Sequence, residues 1–318
     1  MTQLKDIETI KENVPHRFEN LLIDSFTPDS DVSGSGDFTI HITKEDPLNR
    51  QLFSELDSSE SRHMVSTSLV EMMALGSILN TGKIPKGHFA FFAAISKFNK
   101  EGSFKVDIPI QGSCKHLSEK AGFHRYEATL TQENAIATSQ LMAFFTDGEI
   151  EKNDSTLKIK ELPHLSLSSP IRTPNYKDPS LFLIDTLRYQ NTNQNRAIYS
   201  YTYPVDHPCV KGHFPGNPIM MGIMQWLMVE DALTALLQNN DQELIKSDDL
   251  TNEDTLNCHA DILLEDGTLV CELKNVSAKL SDINNQLKAT ISRTKKVLFR
   301  EMVKPGQTLL IDLELLPQ

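Results

Sequence analysis

Two stretches of the chain, Arg62 to Asn80 and Gly222 to Leu237, carry apolar residues on nearly every helical face. A helix of that kind has no side to give to water, so other elements must wrap it. The flanking sequence supplies them. Phe38–Thr43 precedes the first helix as an alternating strand, and Gly82 and Pro85 stop that helix. Four long strand patterns follow it, Phe89–Phe98, Ser103–Gly112, Gly122–Thr131 and Ala135–Phe145, separated by turn residues such as Asn99-Lys-Glu-Gly102. Around the second helix lie Phe182–Tyr189 and Arg196–Tyr203 before it, then Thr255–Leu264, Thr268–Ala278, Gln286–Thr294, Val297–Met302 and Gln307–Leu315. The plan is α+β, sheet packed on a buried helix, and it occurs twice.

The two copies share a landmark. Leu21-Leu22-Ile23-Asp24 recurs as Phe182-Leu183-Ile184-Asp185, and 185 − 24 = 161 is about half of the 318 residues. The expected division is 1–150, a polar linker at 151–170 and 171–318, each half ordinary in size for a domain.

Composition narrows the function. Lysine and arginine total 31 against 43 acids, a net charge of −12, which speaks against broad nucleic-acid binding. No apolar run reaches the ~18 to 20 residues of a membrane helix, and the N-terminus has no signal-peptide core. The four cysteines, Cys114, Cys209, Cys258 and Cys271, form no CxxC pair, so neither a zinc ribbon nor a disulfide framework is expected and a reducing cytoplasm is the default. Cys258-His259 has no second pair at ligand spacing, so no metal site is expected. Phosphate-loop, dinucleotide and nucleophile-elbow signatures are missing as well.

The chemistry concentrates in Lys211-Gly-His213-Phe214-Pro215-Gly216-Asn-Pro-Ile-Met220-Met221-Gly222. Prolines and glycines fix this loop, and it presents one imidazole just before a buried helix. Gly222 opens that helix, where N–H groups lack intrahelical partners and the dipole is positive. A base beside such a terminus suits removal of an α-proton next to a thioester carbonyl.

His213 to Gly222 resembles the H-F-P-G-x-P-x-x-P-G signature of the β-hydroxyacyl-acyl-carrier-protein dehydratases, a hotdog-fold family, with Met221 in place of the last proline. Val14-Pro-His-Arg-Phe with Leu21-Leu-Ile-Asp24 is similar to that family's first strand. Phe92–Phe98 is similar to its strand after the helix, and Val297–Leu310 to its F-x-R-P-V-x-P-G-D-x-L segment. The last of these lies at the far C-terminal end rather than straight after the helix, which implies an altered strand order or a piece of a longer synthase.

The resemblance implies a double hotdog, two antiparallel sheets each wrapping a central helix. It also implies a divided active site. The family's helix carries a carboxylate fourteen residues after the histidine. Here that position is Leu227, whereas Leu69-Val-Glu71-Met-Met-Ala matches the family's acid stretch in the first half. One seam between the halves would then hold His213, Gly222 and Glu71. The other, with Asp57, Ser66 and Leu227, would be inert. Glu230 and Asp231 are the rival acids, expected to be solvated. His16 and Arg17 are expected to pack at the start of the first strand, His63 to be structural, and His88 to be a strand residue.

The activity implied is cofactor-free dehydration of a 3-hydroxyacyl chain on an acyl carrier protein, in fatty acid or polyketide synthesis. His213 would be the base, Glu71 the acid and the Gly222 N–H the partner of the thioester oxygen. Phe214, Pro215, Gly216, Met220, Met221 and Trp226 would shape the acyl tunnel. Lys83, Lys86, Lys97 and Lys100 are candidate carrier contacts on an otherwise acidic chain. Two other readings remain, a hotdog thioesterase and a non-catalytic acyl-binding hotdog; separation of Glu71 from His213 would favour the latter.

Overall fold

In a computed structural model, residues 4–81, 89–146, 157–238, 254–283 and 286–317 are described. The first half contains helix α1 (Ile7–Asn13), strands β1 (Ser25–Pro28), β2 (Ser35–Ile40), β3 (Ser54–Leu56) and β4 (Arg62–Met64), helix α2 (Ser66–Asn80), and strands β5 (Phe89–Glu101), β6 (Ile110–Lys120), β7 (Phe123–Gln132) and β8 (Ala135–Thr146). The second contains β9 (Ser169–Pro170), β10 (Thr186–Asn191), β11 (Arg196–Thr202), helix α3 (Gly222–Gln238), β12 (Thr255–Leu264), β13 (Leu269–Ile283), β14 (Gln286–Phe299) and β15 (Thr308–Leu315).

The long strands bury one face. On β7, Tyr126, Ala128 and Leu130 turn inward while Arg125, Glu127 and Thr131 do not, the period-two pattern of a sheet with one dry side. Every described residue of α2 from Ser66 to Leu79 is buried, as are Ile223 to Leu237 of α3. The apolar circumference of both helices is thus explained: α2 packs on β6 and β7, α3 on β14 and β15, and the helices touch each other.

Apart from the separate two-stranded β3–β4 pair, the strands form one sheet. Its order is β1-β2-β6-β7-β8-β5-β14-β13-β12-β15-β11-β10-β9, every adjacent pair antiparallel. β5 and β14 join the halves at the seam, with Ile95 opposite Val297 and Phe98 opposite Thr294. Two stretches expected as separate strands, Gln286–Thr294 and Val297–Met302, run together as the single long β14, which ends at Phe299. The first residues expected in helix α2 instead form β4, paired with β3.

The repeat at 161 residues is visible bond by bond. The Asp24 N–H donates to the Thr39 carbonyl, and its carboxylate accepts from the His41 N–H at 2.6 Å. In the second half the Asp185 N–H donates to the Ser200 carbonyl, and its carboxylate accepts from the Thr202 N–H at 2.9 Å. Past the helices the halves diverge. The first half runs from its helix to the seam strand β5 and then through β6, β7 and β8. The second runs through β12 and β13 before reaching its seam strand β14, and only then β15. Its strands are a circular permutation of the first half's, which places the Val297–Leu310 segment at the C-terminal end. The described part of the expected linker lies along the second half: the Lys160 N–H donates to Gly267 and the Leu269 N–H to Lys158.

Candidate active site

The His213 loop is docked across the seam onto the first half. The Arg17 N–H donates to the Gly212 carbonyl at 2.9 Å, and the Asn20 carboxamide donates to the Cys209 carbonyl at 3.2 Å. A Cβ on Gly212 would fall 2.1 Å from Asn20 Nδ2 and 2.3 Å from the Arg17 carbonyl oxygen, so only glycine allows this approach. The loop then turns through two left-handed residues, Phe214 at φ 57° and Gly216 at φ 88°. For phenylalanine this is a strained conformation, and it is held by the Asn217 N–H on the Phe214 carbonyl. His213 Nδ1 is 2.9 Å from the Ile219 carbonyl oxygen. A carbonyl only accepts, so Nδ1 carries the proton and the neutral ring keeps its lone pair on Nε2.

Glu71 arrives from the other half on α2. His213, Glu71 and His16 are 7%, 4% and 3% exposed, and one polar atom of each lies within 4.8 Å of those of the other two. His16 Nε2 is 3.4 Å from Glu71 Oε1, and the His16 ring stands edge-on to His213 with centroids 5.1 Å apart. The expectation that His16 merely packs beside the first strand is corrected: it meets Glu71 of its own half and faces His213 across the seam. The docking of residues 17–20 under the loop is what brings it there. Burial first, then the neighbouring His16, lowers the His213 pKa to about 3 against the Ile219 hydrogen bond. The ring is neutral at physiological pH.

The three side chains line one cavity, about 660 Å³ of free space counted out to its open mouth. Gly222 and Ile223 from α3, Val70 and Ala74 from α2, and Phe91, Phe92 and Ile95 from β5 form much of the wall. Phe299 ends the seam strand β14 and Glu301 and Met302 follow it, so the permuted strand order delivers a wall of the pocket.

Of the expected tunnel residues, Phe214 and Met220 line this cavity. Pro215 and Gly216 are exposed on the loop's outer turn. Met221 is buried beneath it, and Trp226 packs edge-on against Phe98 at 5.0 Å. One turn beyond Gly222, the indole points to the core under β5 rather than to the pocket. Glu230 and Asp231 are not solvated. Both are buried in α3 away from this cavity: Glu230 accepts from the Ile291 N–H at 2.7 Å, and Asp231 accepts from the Leu183 N–H at 2.8 Å and pairs with Lys177.

The opposite seam holds no histidine–carboxylate site of this kind among the described residues. Asp57 pairs with His63, which lies in β4, at 2.7 Å. Ser66 starts α2 and meets Lys100 Nζ at 2.9 Å, while Leu227 is core. The space between carries buried ions instead. Glu55 of the first half pairs with Lys288 of the second. Burial, reinforced by Glu55, raises the Glu230 pKa to about 7; burial also lowers that of Lys100 to about 8. Lys100 is half-buried with its ammonium on the Ser66 hydroxyl, whereas Lys97 is exposed. Lys83, Lys86 and His88 lie outside the described residues.

No curated protein matches the chain in sequence. Solved structures align with it, among them three dehydratases. The dehydratase domain from the CurF module of the curacin polyketide synthase is 13% identical, with TM-score 0.48 over 94% of this chain and 98% of that one. The dehydratase domain of RzxB from Pseudomonas fluorescens is 10% identical, with TM-score 0.43 over 94% and 99%. The dehydratase heterocomplex ApeI:P from Xenorhabdus doucetiae is 14% identical, with TM-score 0.34 over 42% and 89%. No helix among the described residues is long and apolar enough to cross a membrane. The family model described as ApeI dehydratase, ApeI-like, matches residues 189–254, the segment that holds the His213 loop and helix α3. Over that segment the chain is similar to the hotdog dehydratases, as the His213 string implies.

Proposed function

We propose that the chain dehydrates 3-hydroxyacyl thioesters to trans-2-enoyl thioesters at one composite site between two hotdog halves, 1–150 and 171–318. The observation that carries this reading is the meeting of His213 and Glu71 in one apolar-walled cavity at the start of α3. Separation of the two would have favoured a non-catalytic protein.

In this mechanism His213 Nε2 takes the C2 proton, and negative charge moves onto the thioester oxygen. The Gly222 N–H and the positive end of α3 stabilise that charge. The C2–H electron pair becomes the C2=C3 bond as the C3–O bond breaks. The Glu71 carboxyl is the group that passes a proton to the departing hydroxyl, which leaves as water. The imidazolium of His213 then returns its proton to the Glu71 carboxylate, and His16, 3.4 Å from that carboxyl, orients it. No cofactor enters the step. An acyl carrier protein is the thioester carrier that the resemblance implies.

Turnover of a 3-hydroxyacyl thioester, followed by enoyl absorbance, tests this. His213→Ala is expected to lower the rate by roughly 10² to 10⁴. Near-normal dehydration in that variant would end the assignment. Release of free thiol in place of enoyl product would identify a thioesterase.

A further inference from the structure

We propose that His16, Glu71 and His213 also form a binding site for one divalent transition-metal ion, zinc by its donor chemistry, and that the bound ion shuts the site off. Two imidazoles and a carboxylate are a zinc donor set. The residues come from three distant parts of the chain, so no sequence spacing announces them. Among the described residues they are a group of three ligating side chains, all buried, with ligand atoms within 4.8 Å of one another.

The geometry is close to what zinc requires. Two ligands on a tetrahedral zinc with bonds of about 2.1 Å stand about 3.4 Å apart. His16 Nε2 and Glu71 Oε1 are separated by 3.4 Å. The His213 ligand atom lies within 4.8 Å of the other two, so a shift on the order of 1.5 Å brings it to the third corner of a tetrahedral site. It is oriented as zinc-ligating histidines are, with one ring nitrogen on a backbone carbonyl (Ile219, 2.9 Å) and the other free to ligate. Two more buried polar atoms in the same neighbourhood, His16 Nδ1 and Gln225 Oε1, have no hydrogen-bond partner among the described residues, and Gln225 lines the same cavity. The three protein ligands would leave a position open toward the cavity.

A metal held there occupies the His213 lone pair and the Glu71 carboxylate, the two groups that the proposed dehydration needs. Inhibition therefore rests on that reading, whereas binding does not. The test uses the full chain, freed of metal with chelator, and zinc alone as the probe. Calorimetric titration is expected to show one ion per chain. His16→Ala, Glu71→Gln and His213→Ala should each weaken binding by at least about 100-fold, the upper cost of losing even an outer-shell partner, with far-UV circular dichroism verifying the fold. Cobalt(II) added to the unaltered protein should give a visible spectrum of nitrogen and oxygen ligands without a thiolate charge-transfer band. A thiolate band, binding indifferent to all three substitutions, or no stoichiometric zinc would overturn the site. Zinc bound through these residues in a chain that dehydrates nothing would sink the proposed function and leave the metal site standing. Dehydration that persists undiminished in the zinc-loaded chain would overturn the shut-off.

Discussion

His213 owes its chemistry to one neighbour inside its own loop and two that no local motif contains. The Ile219 carbonyl fixes its tautomer, His16 and burial keep it neutral, and Glu71 waits across the seam. The string from His213 to Gly222 made the base legible, and the acid stretch around Glu71 made its partner legible. His16 was visible only as part of a strand-like opening, because its role depends on a fold that brings residues 16 and 213 together. The repeat offered a signal: 16 + 161 = 177, and Lys177 is likewise a buried polar group at the opposite seam. A base lowered to about 3 stays unprotonated down to that pH. Activity that depends on it should thus show no acid-side fall centred near ~6.5, the ordinary histidine value. The same shift makes folding stability full above ~6.5 and progressively lost as pH falls from there through about 3. A kcat/KM profile between about pH 5 and 8 checks the first statement; a fall centred at the ordinary value would contradict it.

At the scale of elements, the loop and helix α3 work as one piece because the loop is clamped to residues 17–20. Gly212 is the point of closest approach, with backbone rather than a flexible side-chain tip on one side of it. Gly212→Ala must therefore push the loop off the first half. A displacement of about 1 Å at the base is expected to cost on the order of 100-fold in turnover, with far-UV circular dichroism unchanged. Equal turnover in the variant would show that the clamp does not position His213. Sequence periodicity located α3 and most strands closely. It misplaced β6, expected at Ser103–Gly112 and found at Ile110–Lys120, and it extended α2 back over β4. Both errors come from tertiary pairing: residues 62–64 and 104–106 bond to each other through their backbones, the Met64 N–H on the Phe104 carbonyl and the Val106 N–H on the Arg62 carbonyl.

Across the whole molecule, the two seams have gone separate ways. One keeps a cavity with base and acid. The other is tied by buried ions, with Glu55 and Lys288 joining the halves and Lys177 holding Asp231. Nothing in the composition distinguishes these lysines and acids from surface charge, which is why Glu230 and Asp231 read as solvated. Removing one partner of a buried pair strands the other, so Lys288→Met is expected to destabilise the fold by about 3–5 kcal/mol. Chemical denaturation checks this, and Glu55→Gln in the same chain should recover part of the loss. A change within about 0.5 kcal/mol, the range of surface substitutions, would show that the pair does not join the halves.

The central claim is that the acid comes from the half that lacks the base. Turnover of Glu71→Gln on a 3-hydroxyacyl thioester measures it, since glutamine keeps the shape of the side chain and removes its proton. The account predicts a loss of roughly 10² or more with the fold intact. Near-normal turnover in Glu71→Gln would contradict it.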